Sequence, residues 1–151
     1  MSTLIQSALQ KIADLYQAVF GKEKLFTHEE MCLSAWRESL PDLAKVKLDA
    51  QMKAVRVIQH QAAGAKVCFY YADKDDAPLF MPVRPDMHVA TVSLSSGDSL
   101  AQPSLRAKIF VHQGRFFSIE FVKRPTRYMA QHGMNQAALK VLDVVTVNSL
   151  E

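Results

Sequence analysis

Apolar residues recur at helical spacing in the first third of the chain and at alternate positions in the remainder. Ile5, Leu9, Ile12, Tyr16, Val19 and Phe20 share one face of a helix that Thr3 and Gln6 would cap and Gly21 would stop. A second helix is predicted to start at Thr27, where Glu30 completes a T-x-x-E box and Phe26 can touch Met31 across the cap. It stops by Leu40, which Pro41 pushes out of helical geometry. From Pro41 to Ala63 the stripe Leu43, Val46, Ala50, Ala54 and Val57, with Gly64 past its end, favours a third helix. The run Lys45-Val46-Lys47-Leu48 alternates instead as a strand would.

After Gly64 the period becomes two and β-branched and aromatic residues take over. Strands are predicted at 66–72, 79–83, 88–94, 105–111, 115–122 and 141–147. Helices first and strands second imply an α+β fold, with N-terminal helices packed on a largely antiparallel sheet of about five or six strands. No linker, repeat or low-complexity tract divides the chain, so a single domain over 1–151 is expected.

The turn at His112-Gln113-Gly114 allows a finer reading. A three-residue loop with Gly114 in the left-handed position pairs Val111 with Arg115. Leu105, Ala107, Ile109 and Val111 then share an apolar face with Phe117, Ile119 and Phe121, while Arg106 lies opposite Glu120 and Phe110 opposite Phe116 on the other face. A two-residue Gln113-Gly114 turn would instead put Glu120 opposite Ala107, among aliphatic side chains, so the longer loop is expected. Past Pro125, Thr126 would cap a short helical turn ending at Gly133, and Asn135 another over Gln136 to Lys140.

With 151 residues, 49% of them hydrophobic and 22% charged, the chain can bury a core without metals or disulfides. Cys32 and Cys68 form no C-x-x-C pair, and both are expected to be buried free thiols. Lys11 and Asp14 interrupt the apolar N-terminal pattern, and no basic leader precedes a small-residue cleavage site. A cytoplasmic protein with no membrane partner is the expectation. The net charge of +3 is placed unevenly: from residue 99 onward seven cations stand against only Glu120, Asp143 and Glu151.

The scattered glycines make no phosphate loop, dinucleotide fingerprint or nucleophile elbow, and no cofactor is expected. His28 and Cys32 stand at i and i+4, as two zinc ligands would. With no further ligand in sight, an exposed histidine above a buried cysteine is expected, and no metal. Asp73, Asp75 and Asp76 lack the glycine and glutamate of a calcium loop and read as a solvated turn. His112, Ser118 and Glu120 resemble a triad in type only, because His112 falls in the loop and Glu120 is expected to pair with Arg106.

The densest basic and aromatic neighbourhood combines Lys123, Arg124, Arg127 and Tyr128 with Arg106, Lys108, Arg115, Phe110 and Phe116 on or near the hairpin's polar face. Such residues can follow a phosphate backbone and stack bases. Pro78, Pro82 and Pro85 stiffen an apolar segment containing Arg84, expected to form an edge strand. These features lead to a non-catalytic interaction module that engages a protein partner through its sheet face or Pro-rich edge. The alternatives are a nucleic-acid binder using the C-terminal hairpin and a small hydrolase or ligand-binding enzyme.

Overall fold

The computed structural model of the chain describes residues 23–96 and 104–151. The first predicted helix, with its Thr3 cap and Gly21 stop, lies outside the described residues. Helix α1 spans Thr27–Ser39 and α2 spans Asp42–Ala54, with the break falling at Leu40-Pro41. The cap of α1 sits one residue earlier than expected: Phe26 is the N-cap, and its N–H donates to Glu29 Oε1 at 2.8 Å, so Glu29 rather than Glu30 serves the first turn. His28, Cys32 and Trp36, four residues apart, form the buried stripe of α1.

Helix α2 ends at Ala54, and the chain passes straight into strand β1 (Val55–Gln61), so 41–63 is not wholly helical. The strand-like alternation at 45–48 is overridden, and the buried stripe is Ala44, Leu48 and Gln51. Leu43 and Val46, expected inside, are 61% and 63% exposed. A tight turn follows at Ala62–Gly64. Strands β2 (Lys66–Tyr71), β3 (Met87–Ser95), β4 (Leu105–His112), β5 (Arg115–Phe121) and β6 (Lys140–Thr146) complete a six-stranded antiparallel sheet in the order β1-β2-β5-β4-β3-β6. Helix α3 spans Pro125–Gln131 between β5 and β6, and Asn135 caps the short turn Gln136–Ala138 by accepting the Ala137 N–H.

Both long helices lie on one face, α1 against β3 and β6 and α2 against β5. The core there comprises Trp36, Leu48, Val67, Phe69, Val92, Ile109, Phe116 and Ile119, with the rings of Phe69 and Phe116 at 4.4 Å. Burying this apolar layer is the main driving force for the fold. Cys32 and Cys68 are free and buried.

The expected strand at 79–83 does not form. Its prolines remove donors, and the segment crosses the hairpin tip instead: Phe80 N–H donates to Gly114 O at 2.8 Å and Gln113 N–H to Arg84 O at 2.7 Å. The Pro-rich stretch is therefore a clamp with Phe80 fully buried beneath it, and the sheet's edges are β1 and β6.

Gln51 fixes that clamp to α2. Its Nε2 donates to Pro78 O at 2.8 Å and Gly114 O at 3.0 Å, and its Oε1 accepts the Phe116 N–H at 2.9 Å, all with the side chain fully buried.

Candidate functional site on the open sheet face

The face of the sheet opposite the helices takes its character from one irregularity in the β4–β5 hairpin. The turn has two residues, with Gln113 at φ 51° and Gly114 at φ 80°, and His112 pairs with Arg115. This corrects the expected three-residue loop. The slip it introduces is absorbed at a β-bulge: Val111 pairs with Phe116 but Phe110 pairs with Ser118, which leaves Phe117 as the extra residue. Phe116 and Ile119 both stay in the core, and Glu120 is turned outward opposite Lys108, not Arg106.

The bulge sets Phe117 and Ser118 side by side on the open face. Phe117 stands edge-on to Tyr70 of β2 at 5.9 Å and lies 5.5 Å from the His112 ring, while Phe110 stacks on His88 of β3 at 5.3 Å. Between Phe110 and Phe117 lies a notch of about 280 Å³, with Ser118 lining it and Lys66, Glu120 and Asp86 around it. Cys68 is the cross-strand partner of Ser118 on β2 and is buried, which raises its thiol pKa. The Ser118 hydroxyl is buried and has no hydrogen-bond partner. The charges around the notch are paired: Lys66 Nζ lies 3.4 Å from Glu120 and 5.8 Å from the centre of the Phe117 ring, and His112 Nδ1 lies 2.9 Å from Asp86.

The structure divides the residues singled out in the sequence. Phe110 lies in the notch wall, but Phe116, expected beside it, is fully buried against Trp36 and Phe69 and cannot stack a ligand. Arg115 is drawn to the hairpin tip by Asp75, at 3.1 Å, with its guanidinium over the Tyr71 ring. Asp75 is thus an anchored residue, its side chain only 6% exposed, rather than part of a solvated turn. Arg84 is exposed in the Pro-rich clamp.

Lys123, Arg124, Arg127 and Tyr128 line a shallow hollow at the far end of β5. About 25 Å of extended chain separates Arg115 from Lys123, and the exposed Arg106 and Lys108 of β4 lie alongside the stretch between them. His112 pairs with Arg115, three residues or about 10 Å along β5 from Ser118, too far for a nucleophile to contact its base. Sequence reasoning missed Tyr70, Lys66 and Asp86, and put Phe117 on the wrong face. The signal for Phe117 was the Phe116-Phe117 pair itself, which a regular strand cannot place with Ile119 and Phe121 on one side.

His28 also departs from expectation: it is 3% exposed and packs between the rings of Phe26 and Phe121. Among the described residues no group of three or more His, Cys, Asp or Glu is arranged to hold a metal ion, and no helix is long and apolar enough to cross a membrane. No family model, curated protein or solved structure matches this chain.

Proposed function

We propose that this chain is a non-catalytic binding module whose open sheet face takes a protein partner, with one apolar partner side chain entering the notch between Phe110 and Phe117. The observation that carries this reading is the notch between the half-buried rings of Phe110 and Phe117 on the face that no helix covers. An inserted side chain would complete the burial of both rings. The paired charges Lys66–Glu120 and His112–Asp86 at the notch suit a mixed-charge protein surface.

The nucleic-acid alternative loses Phe116 as a stacking platform, and its Arg115 is held at the hairpin tip by Asp75. Its strongest support is the Lys123, Arg124 and Arg127 group. For the hydrolase alternative, the described residues include one hydroxyl beside an imidazole, Thr91 Oγ1 at 3.0 Å from His88 Nε2, but that nitrogen also lies 3.0 Å from the Ala90 carbonyl oxygen, which it meets as a donor and not as a base.

Site-specific photo-crosslinking in cells of the source organism tests the proposal. A photoreactive residue at position 112, on the notch rim, is expected to capture a discrete protein, and Phe117→Ser in the same chain is expected to abolish that capture. A photoreactive residue at position 46, on the exposed side of α2, is the control. Equal capture from 46 and 112, or capture that survives Phe117→Ser, would remove the sheet face from consideration.

A further inference from the structure

The segment that leads into α1 is held against the free edge of β1 by a single imidazole. Glu23 N–H donates to Ile58 O at 3.4 Å, and the His60 N–H donates back to Glu23 Oε2 at 2.9 Å. The same carboxylate oxygen meets His60 Nδ1, while the opposite ring nitrogen, Nε2, lies 2.8 Å from Glu29 Oε1 on α1. The Phe26 ring covers the imidazole, with centres 4.4 Å apart. Ile58 and His60 stand two apart on a strand whose only sheet neighbour is β2, so the groups that Glu23 occupies are those another strand would use.

The two ends of the bridge differ. Glu29 is fully buried; its Oε1 also accepts the Phe26 N–H at 2.8 Å, and its Oε2 has no partner. The Glu23 side chain is 37% exposed and can retreat into water. Each ring nitrogen faces a carboxylate, so the bridge needs one hydrogen at Nδ1 and another shared between Nε2 and Glu29. Whether the shared one sits on the ring or on the carboxyl group does not matter, because the pair titrates as a unit. Once it leaves, the imidazole has one N–H for two carboxylates. The buried Glu29 charge claims it, having no water to turn to, and Nδ1 then points a lone pair at Glu23.

No other charge at the ring alters this count. Burial first, and His60 second, lower the pKa of His28 on α1 to about 4, so that ring is neutral. Val67 of β2 stands opposite His60, and Ile58 and Phe69 are next on the same face. Burial opposes the charge on His60, but the bonds to Glu29 and Glu23 prevail and hold its pKa above the ordinary value. The bridge is therefore closed at mildly acid pH and is lost as the pH rises.

We propose that residues 23–26 are a proton-operated latch on the edge of β1, closed while a proton is shared between His60 and Glu29 and open once it has left. Opening bares Ile58 O and the His60 N–H.

Carbon-detected NMR of the full chain, labelled with 13C and 15N, tests the latch between pH 5.5 and 9.5. The His60 ring nitrogens report the proton, and the 13Cα shifts of residues 23–26 report the latch. Both are expected to change at one midpoint above pH 6.5, with 23–26 moving to the values of a disordered chain while residues 87–95 of β3 keep theirs. Glu23→Gln leaves Glu29 in place and supplies an amide that can donate to Nδ1 as well as accept, so its 23–26 shifts should be the same at both ends of the range. The wild-type readout stands without the variant. A ring that titrates while 23–26 stay unmoved, a ring that does not titrate below pH 9.5, a transition shared by 87–95, or opening in Glu23→Gln as in the wild type would overturn the proposal.

Discussion

Replacing Ser118 by alanine tests whether its buried, partnerless hydroxyl costs the fold stability. The Ser118 side chain is buried, 1% exposed, and its oxygen meets no donor or acceptor. Leaving a hydroxyl in that state costs about 1–3 kcal/mol relative to water on mutational scales. Alanine removes the unsatisfied atom, keeps the Cβ against its neighbours and leaves only a small void. The void offsets part of the gain, so a net stabilisation of about 1 kcal/mol is expected. In urea unfolding, with a slope of about 2 kcal/mol/M, the midpoint should rise by about 0.5 M without a change of slope. The same substitution should leave partner capture through position 112 unchanged, because the buried hydroxyl presents no surface to a partner. A midpoint lowered by 0.5 M or more would refute the reasoning, since it would mean that the hydroxyl already has a partner in the free protein.

Gln51→Leu keeps the side-chain volume but deletes three buried hydrogen bonds and strands the Phe116 N–H, so a loss of about 3 kcal/mol is expected in the same assay. A loss below 1 kcal/mol would mean that the clamp is held elsewhere. Gly114→Ala must accept φ +80° and a Cβ 2.9 Å from Leu79 Cβ and 3.0 Å from Phe80 O, with an expected cost of about 2–4 kcal/mol; a neutral variant would contradict the turn geometry. His28 has a lowered folded pKa, about 4 against 6.5, so its contribution is complete above pH 6.5 and is lost as the pH falls towards 4. His60 works in the opposite direction: burial opposes its charge, but hydrogen bonds to Glu29 and Glu23 prevail, raise its pKa, and give stability that fades as the pH rises. Between pH 7 and pH 4.5, the wild type should therefore lose about 2 kcal/mol relative to His28→Phe, and parallel pH profiles would show that His28 titrates normally.

The fold class was legible because periodicity changes from helical to alternating at one place, near Gly64, and because Pro41 breaks the helices where it must. Strand β1 was hidden by the helix running directly into it: no turn residue separates Ala54 from Val55, and the partly buried faces of 55–61 give no clean alternation. The α2 stripe was misread because the residue that faces the core with Ala44 and Leu48 is a glutamine, inside only because Pro78, Gly114 and Phe116 satisfy it. The site was the least legible part. One bulge decides whether Phe116 or Phe117 faces outward, and pairing rules without a bulge force both onto the wrong sides. The burial of His28 depends on Phe121, far away in sequence, and no local signal carries it.

Titrating the partner captured at position 112 against three forms of the chain tests the central claim most directly, with wild type, Phe117→Ala and Lys123→Ala/Arg124→Ala compared at low and physiological salt. A side chain seated in the notch makes Phe117 a hot spot, so Phe117→Ala should weaken binding about 30-fold at both salt concentrations. The double charge variant should change affinity less than about twofold. Affinity untouched by Phe117→Ala but steeply salt-dependent and lost with Lys123 and Arg124 would contradict the account and move the binding site to the basic end of β5.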